Sequence, residues 1–300
     1  MLRVLELFGG VGACSMALKE LGINFEIVDY VEIDKYAVKS FNVIHNTNFE
    51  PQDIQEWNKD IKVDLIMHGS PCQDFSLSGK NLGGDKDSGT RSSLMYETIR
   101  IVNKLKPKYV IWENVKNLLS KTHIHNFENY LNALSDLGYT NYYEVLNAKD
   151  YGIPQNRERV FVVSILGYSN FKFPDKVPLK TKLLDLLEEE VEERYFLSEE
   201  QIEKIILGCK EDAFYVKNAT KIGYLEGKNG DGCYISNLKG KRGTVQKEMI
   251  STLKGHPDIG VIVDIGDSID LSYPGTKKKR ITRGYLSCIT TRPLKGIFVN

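Results

Sequence analysis

A cysteine directly follows the proline at which an apolar run ends. The stretch VDLIMHGSPCQDFSLSG covers residues 63–79 and places Cys72 just beyond its apolar part. A cysteine thiolate is a nucleophile, and the end of a strand in an open sheet displays reactive side chains. A free cysteine is equally well explained as a small hydrophobic packing residue. This stretch alone therefore leaves a nucleophile and a packing residue as even alternatives for Cys72.

An acid lies near the end of one further apolar run, and two cations lie at the start of another. Glu113 follows the four apolar residues that open the run YVIWENV, where burial would raise the pKa of its carboxyl and suit it to proton donation. The alternative is that Glu113 or Asn114 caps the helix that follows. Arg157 and Arg159 lie two residues apart in QNRERVFVV, so an extended chain would turn both toward the same side. Two such guanidinium groups suit an anion or a polarised carbonyl, and a surface array of ion pairs is the alternative.

A glycine-rich turn between a strand and a helix indicates a ligand that the backbone approaches closely. The sequence LELFGGVGACS supplies three glycines, at Gly9, Gly10 and Gly12. Glu32 lies about 20 residues beyond Gly12, where an acid can bind ribose hydroxyls, and Asp53 precedes the next apolar run. A nicotinamide fingerprint requires a third glycine where this chain has Ser15. Together these features predict a cofactor that carries a nucleoside, with a purely structural turn as the alternative.

Alternating strands and helices must position these residues. Apolar and β-branched runs predict strands over residues 2–7, 25–32, 63–69, 109–115, 142–148 and 159–166. Helical patterns predict helices over residues 13–22, 34–45, 92–105 and 127–138. This alternation predicts an α/β fold with a doubly wound, mostly parallel sheet that binds its ligands at the carboxyl ends of its strands.

The character of the sequence changes after about Gly167. Turn signals such as GKNGDG and YPG crowd together, and the alternation of strands and helices weakens. We therefore expect a first domain over residues 1–167, which carries the candidate site, and a second, smaller and irregular domain over residues 168–300.

Composition argues against several classes of protein. Forty basic and forty acidic residues cancel, so the overall charge does not indicate a polyanionic partner. Five cysteines without a CxxC spacing favour a reducing compartment over a disulfide framework. No apolar run suits a signal peptide or a membrane span, and the five histidines lack the spacing of metal ligands. We expect a cytoplasmic protein that binds neither a membrane nor a metal.

The four candidate segments, in this order, resemble those of the cytosine-5 DNA methyltransferases. FGGVG resembles the family's S-adenosylmethionine loop, PCQDFS its Pro-Cys-Gln nucleophile loop, ENV its Glu-Asn-Val step and QNRER its Gln-x-Arg-x-Arg motif. The helix RSSLMYETIRI is similar to the segment that usually follows the nucleophile loop. The resemblance covers residues 3–165, and the joint order of the motifs is far more specific than any one of them.

The resemblance implies a Rossmann-like methyltransferase and a role for each motif residue. The Cys72 thiolate would add to carbon 6 of a cytosine flipped out of the duplex, and Glu113 would protonate or hydrogen-bond ring N3. Arg157 and Arg159 would hold the base carbonyl and position the loop. Carbon 5 would then take the methyl group of S-adenosylmethionine, leaving S-adenosylhomocysteine. The residues implied to line the cofactor site are Phe8, Gly9, Gly10, Gly12, Glu32, Ile33, Asp53, Ile54, Pro71 and Leu94.

The same resemblance implies that residues 168–300 recognise the target sequence in double-stranded DNA. Basic clusters between residues 239 and 280 are the candidates for phosphate contacts, and bacterial restriction-modification or phage self-protection is the expected setting. LSCITT, at residues 286–291, resembles a segment after which the family adds an Arg-x-Leu-Thr-x-x-Glu helix and a Gly-Asn-Ser-Val strand, which this sequence does not contain. The alternatives are a truncated chain, a split enzyme completed by a second chain, and a subunit that binds DNA without activity of its own.

Two other functions compete with this expectation. An RNA cytosine-5 methyltransferase that acts on transfer RNA would be built on the same scaffold. A nicotinamide oxidoreductase is disfavoured because it has no use for Cys72 and Glu113 and because Ser15 stands where its third glycine is needed.

Overall fold

The structure is a computed structural model that describes residues 1–71, 91–187, 206–210, 213–234, 244–251, 259–265 and 285–288. The predictions for Cys72 and for the basic clusters at 239–242 and 277–280 lie outside these residues. The chain divides into two compact units. The first comprises Met1–Leu146 and Glu158–Asp175, and the second comprises Asn147–Arg157 and Lys176–Asn300.

A six-stranded sheet forms the centre of the first unit. In chain order its strands are β1 (Leu2–Leu7), β2 (Phe25–Val31), β3 (Leu65–His68), β4 (Tyr109–Val115), β5 (Tyr139–Asn147) and β7 (Glu158–Leu166). Their spatial order is β2-β1-β3-β4-β7-β5. The pairs of β1 with β2, β1 with β3 and β3 with β4 are parallel, whereas β7 runs antiparallel to β4. The predicted α/β class with a mostly parallel sheet is confirmed.

In the part of the first unit that the structure describes, four α-helices connect these strands: α1 (Ala13–Glu20), α2 (Lys35–His45), α3 (Met95–Leu105) and α4 (Ile124–Asp136). A single turn of 3₁₀ helix, Arg91–Leu94, precedes α3, and another, Lys116–Leu119, follows β4. The sequence prediction started the last helix at Phe127, three residues too late. It missed the first turn because Asn126 is polar, yet this side chain is buried and its Oδ1 accepts a hydrogen bond from the Tyr96 hydroxyl.

Apolar side chains cover both faces of this sheet. On one side, Trp112 of β4 packs against Phe127 and Tyr130 of α4, with 4.2 Å between the ring centroids of Trp112 and Tyr130. On the other side, Leu18 of α1 packs with Met67 of β3 and its neighbours. Strands buried on both faces read as nearly continuous apolar runs, which explains why the predicted bounds of β1, β2, β4 and β7 agree with the observed ones within one residue. The prediction for β3 was too long by two residues at its start and one at its end, and that for β5, most of whose residues are only half-buried or exposed, began three residues too late and ended one residue too late.

His68 is a titratable residue inside this core. Its side chain is 1% exposed, and its Nε2 lies 2.8 Å from the Tyr130 hydroxyl. Burial lowers the pKa of the His68 imidazole to about 3. The folded protein therefore keeps His68 neutral at acidic pH values at which the unfolded chain binds a proton.

We expect this difference to destabilise the fold in acid. Stability from His68 is complete above its ordinary pKa of about 6.5 and is lost as the pH falls toward 3, because the unfolded state then binds the extra proton. At pH 5 the loss is about 2 kcal/mol. Urea unfolding at pH 8 and pH 5 measures it. In His68→Gln the decrease in the free energy of unfolding between pH 8 and pH 5 should be smaller by that amount. His125 is exposed, so His125→Gln should show the same decrease as the wild type. Equal decreases in all three proteins would contradict the assignment.

In its described residues the second unit contains mainly short strands, with two turns of 3₁₀ helix at Ala148–Asp150 and Leu183–Leu186. β8 (Ile206–Lys210), β9 (Ala213–Lys217) and β10 (Tyr224–Gly227) form an antiparallel sheet, and β11 (Gly232–Tyr234), β12 (Thr244–Gln246), β14 (Ile259–Ile265) and β15 (Tyr285–Cys288) form another. β13 (Ile250–Ser251) pairs in parallel with β6 (Gln155–Asn156), which places the first residues of the QNRER motif in this unit. The assignment of residues 168–300 to target recognition stays a prediction.

Within the described ranges, no helix is both long and apolar enough to cross a membrane. The same ranges contain no cluster of three or more His, Cys, Asp or Glu residues that could hold a metal ion.

Candidate active site

The predicted glycine turn follows β1 and is tightly folded. Its backbone enters the left-handed region at Phe8, Gly10 and Gly12, with φ of 52°, 55° and 84°. The Gly12 amide donates to the Gly9 carbonyl at 2.8 Å, and the Tyr30 hydroxyl donates to the Gly10 carbonyl at 2.6 Å. A Cβ on Gly12 would lie 2.2 Å from Nε2 of His45, whereas no described atom lies within 4 Å of a Cβ on Gly10. The turn is thus packed beneath Gly12 and open at Gly10.

Substitution of Gly12 should therefore be far more damaging than its positive φ alone predicts. Gly12→Ala must displace His45 and Phe41, whose ring carbon would lie 2.7 Å from the new methyl group. We expect it to lower the free energy of unfolding by roughly 2–3 kcal/mol more than Gly22→Ala does. Gly22 is the matched control because its φ is 64° and no described atom lies within 4 Å of its Cβ position. Urea denaturation of both variants tests this, and equal losses would show that the turn can relax around the methyl group.

Glu32 contacts the glycine turn directly. One carboxylate oxygen accepts the Gly10 amide at 3.2 Å, and the other accepts the Asp34 amide at 2.9 Å. The Gln52 amide donates to the Glu32 carbonyl at 2.9 Å and so brings the segment with Asp53 to the same edge of the sheet. The three features predicted to bind a nucleoside are therefore adjacent in the fold.

The apolar residues expected near the cofactor differ in exposure. The Ile33 side chain is 68% exposed beyond the end of β2, whereas Ile54 is 4% exposed and belongs to the core. Phe8 and Leu94 are half-buried against the same core. Ile33 thus offers an apolar surface beside Glu32, and Ile54 anchors the turn that carries Asp53.

Glu113 and Arg159 meet at the end of β4. Val115 and Arg159 are paired in the antiparallel register of β4 and β7, and Nε of Arg159 lies 3.0 Å from Oε1 of Glu113. The Arg159 and Glu113 side chains are 17% and 32% exposed, so the ion pair is partly shielded from water. Arg157 lies between β6 and β7, in the second unit, and its amide donates to Oδ1 of Asn147 at 3.0 Å. The structure brings Arg159 to Glu113 and interrupts the strand at Arg157.

The chain that leads to Cys72 passes beside Glu113. A Cβ built on Gly69 would lie 3.8 Å from Oε2 of Glu113, and the half-buried Pro71 is the last described residue before Cys72. Val115 occupies the cap position of the 3₁₀ helix that follows β4, and no side-chain hydrogen bond is formed at this position. The alternative that Glu113 or Asn114 caps that helix is therefore wrong.

The comparison with protein families decides the assignment. The model for C-5 cytosine-specific DNA methylases matches residues 2–285. The chain belongs to this family. The resemblance inferred from the order of the four motifs is thereby confirmed.

Individual methyltransferases match over about two thirds or more of this chain. It is 36% identical over 258 residues to the type II methyltransferase M2.ScrFI of Lactococcus lactis subsp. cremoris, with 67% of this chain and 72% of the relative covered. It is 34% identical over 245 residues to the type II methyltransferase M.HhaI of Haemophilus parahaemolyticus, with 80% and 72% covered. A match of 34% over 244 residues to the orphan methyltransferase M.SPRI of Bacillus phage SPR covers 68% of this chain and 54% of the phage protein.

Solved structures share this fold over about two thirds of the chain. The DNMT2 of Spodoptera frugiperda, determined as a mutant protein, aligns with a TM-score of 0.55 and 25% identity over 69% of this chain and 66% of its own. A DNA modification methyltransferase from a prophage of E. coli aligns with a TM-score of 0.51 and 24% identity over 66% of this chain and 58% of its own. The Rossmann-like fold expected for the C-5 cytosine methylase family is thereby confirmed.

Two buried acids support this family's motifs and escaped the sequence prediction. Glu6 is 1% exposed and accepts the Ser15 hydroxyl at 2.5 Å, while burial raises the pKa of its carboxyl to about 7. Asp29 is 3% exposed and contacts Nε2 of Gln52 at 3.1 Å, Nε1 of Trp57 at 2.7 Å and Nζ of Lys59 at 2.8 Å. Each acid interrupts an apolar strand, which is the signal that could have identified it.

Proposed function

We propose that this protein transfers a methyl group from S-adenosylmethionine to carbon 5 of a cytosine in double-stranded DNA. The observation that carries the proposal is the Glu113–Arg159 pair, 3.0 Å apart at the end of β4. The chain leading to Cys72 passes this pair, since a Cβ on Gly69 would lie 3.8 Å from the Glu113 carboxylate. An acid, a cation and the approach to a thiol are thus grouped at one edge of the sheet.

The glycine turn fits S-adenosylmethionine. The open position above Gly10 leaves room for a ligand at the backbone, and Glu32 is suited to accept hydrogen bonds from ribose hydroxyls. The exposed side chain of Ile33 is suited to pack against the flat face of an adenine, with Asp53 as an acceptor nearby. When bound, this cofactor supplies an electrophilic methyl group. Gly9, Gly12, Phe8, Pro71 and Leu94 complete the proposed lining, and the buried Ile54 supports it by anchoring the turn that carries Asp53.

We propose that the target cytosine is flipped out of the duplex and that different residues of the chain act on different atoms of the base. The Cys72 thiolate forms a bond to carbon 6, and Glu113 holds a proton at ring N3, so that electron density moves onto carbon 5. Arg159 orients the Glu113 carboxylate and offers further N–H donors to the base carbonyl, a role that Arg157 shares. After methylation, loss of the carbon 5 proton to a base expels Cys72 and restores the aromatic ring.

Labelled methyl transfer tests this function. The full chain is incubated with S-adenosylmethionine carrying a tritiated methyl group and with long duplex DNA in which every short sequence occurs, or with transfer RNA. We expect label in the DNA, recovered as 5-methylcytosine after digestion to nucleosides. Label in transfer RNA alone would favour an RNA methyltransferase. Label in neither, from a folded chain that binds S-adenosylmethionine, would contradict the proposal and favour a subunit that binds DNA without activity.

A further inference from the structure

Ser70 makes an unusual set of contacts just before the nucleophile segment. Its hydroxyl oxygen accepts hydrogen bonds from Nε1 of Trp112 at 3.0 Å and from Nδ2 of Asn114 at 3.3 Å. The same Asn114 amide lies 3.3 Å from the Ser70 carbonyl oxygen. The three side chains are at most 3% exposed. Ser70 therefore satisfies two buried donors of the neighbouring strand at one point, and a buried donor left without an acceptor is costly.

These bonds hold β4 on both sides of the proposed acid. Successive side chains of a strand point to opposite faces, so Trp112 and Asn114 share one face and Glu113 lies on the other. Asn114 is fixed further because its Oδ1 accepts the amide of Val115 at 2.8 Å. Gly69 comes close to Glu113 on the opposite face. Two consecutive residues, Gly69 and Ser70, thus place the chain after β3 against both faces of β4.

We propose that Ser70 is a positioning residue for the nucleophile: its bonds to Trp112 and Asn114 fix the point beside Glu113 from which the chain departs toward Cys72. The proposal rests on the proposed function, because it assigns Ser70 a part in the attack of the Cys72 thiol on cytosine. A displacement of about 1 Å between reacting groups can cost a hundredfold in rate. Because Cys72 follows Ser70 by two residues, loss of the Ser70 hydrogen bonds would directly affect the distance between the thiol and the cytosine.

Three variants separate positioning from stability. Ser70→Ala removes the acceptor, and Trp112→Phe removes one donor while keeping an aromatic ring in the core. Tyr130→Phe is the matched control, because it deletes the hydrogen bond to His68 in the same buried cluster without touching Ser70. Each full-length protein is incubated with S-adenosylmethionine and duplex DNA that contains 5-fluorocytosine. Fluorine replaces the proton that must leave carbon 5, so the bond between Cys72 and carbon 6 persists and its rate of formation can be measured.

Ser70→Ala should slow adduct formation by about tenfold to a hundredfold while the dissociation constant of S-adenosylmethionine changes by less than about threefold. Trp112→Phe should slow it less, and the double variant should match Ser70→Ala because both changes remove the same bond. Tyr130→Phe should keep the wild-type adduct rate even though it loses thermal stability. An adduct rate within twofold of wild type in both Ser70→Ala and Trp112→Phe, or an equal loss in Tyr130→Phe, would overturn the proposal.

Hydrogen–deuterium exchange tests the same Ser70 hydrogen bonds independently of the methylation reaction. The backbone amides of residues 69 and 70 should exchange about tenfold faster in Ser70→Ala than in Tyr130→Phe, since the bonds of Ser70 to Trp112 and Asn114 raise the free energy of local opening. Equal exchange would overturn the role of Ser70. If the wild-type protein forms no adduct, the proposed function fails, and the exchange measurement still decides whether Ser70 holds the end of β3.

Discussion

Replacing Cys72 by serine is expected to lower methyl transfer to cytosine by at least about a thousandfold. A serine hydroxyl has a far higher pKa than a thiol and no base is assigned to activate it, so the bond to carbon 6 would not form at a useful rate. The same variant should give no covalent adduct with duplex DNA that contains 5-fluorocytosine. Tritium incorporation into duplex DNA and a mobility shift of the protein–DNA adduct in denaturing gels measure the two effects.

Cys14 provides the matched control for Cys72. It follows the glycine turn in α1, where burial and the nearby carboxylates of Glu6 and Glu113 raise the pKa of its thiol to about 12. A thiol that stays protonated near neutral pH is not a nucleophile, so Cys14→Ala should keep both methyl transfer and adduct formation within about threefold of wild type. An adduct that survives in Cys72→Ser and disappears in Cys14→Ala would refute the assignment of the nucleophile.

Glu113→Gln is expected to reduce methyl transfer by roughly a hundredfold to ten-thousandfold, the range typical of a general acid or base. The amide can still donate a hydrogen bond to ring N3 but cannot deliver a proton, and it gives up the ion pair with Arg159. Binding of S-adenosylmethionine, measured by calorimetry, should change by less than about threefold because the contacts of the glycine turn with Glu32 and Tyr30 stay in place.

Glu158→Gln is the comparison for this prediction. Glu158 begins β7 next to Arg159, but its carboxylate is exposed and pairs with Lys116 at 2.9 Å. Exposed ion pairs contribute little, so this variant should retain methyl transfer within about twofold of wild type. Comparable losses of methyl transfer in Glu113→Gln and Glu158→Gln would contradict the role of Glu113 as a proton donor. They would show that the rate depends on negative charge near Arg159 instead.

The sequence predicts the architecture well where side-chain patterns are local. The strand Tyr109–Val115 agrees residue for residue with its prediction, because an apolar run bounded by Lys108 and by the polar residues after Val115 admits few alternatives. The start of α4 was missed at Asn126, whose buried hydrogen bond makes a polar residue part of the packed face. Patterns of apolar residues cannot register such a position.

The site depends on contacts that no local pattern contains. Arg159 meets Glu113 because β7 joins the sheet antiparallel to β4, a pairing between residues 46 positions apart in the chain. The spacing of Arg157 and Arg159 indicates one continuous extended segment. In the structure the chain breaks between β6 and β7, and β6 pairs with β13, nearly 100 residues further on. The buried acids Glu6 and Asp29 likewise acquire their partners only in the folded chain.

The pairing of β6 with β13 sets the limits for exchanging parts between family members. Residues 147–157 precede the last strand of the first unit, yet the Ile250 amide donates to the Pro154 carbonyl at 2.9 Å and β6 pairs with β13. A chimera that swaps residues after Asp175 alone would combine β6 of one parent with β13 of the other. Recombination that preserves this fold must therefore transfer two separate stretches, 147–157 and the chain from Lys176 onward, as one inherited module.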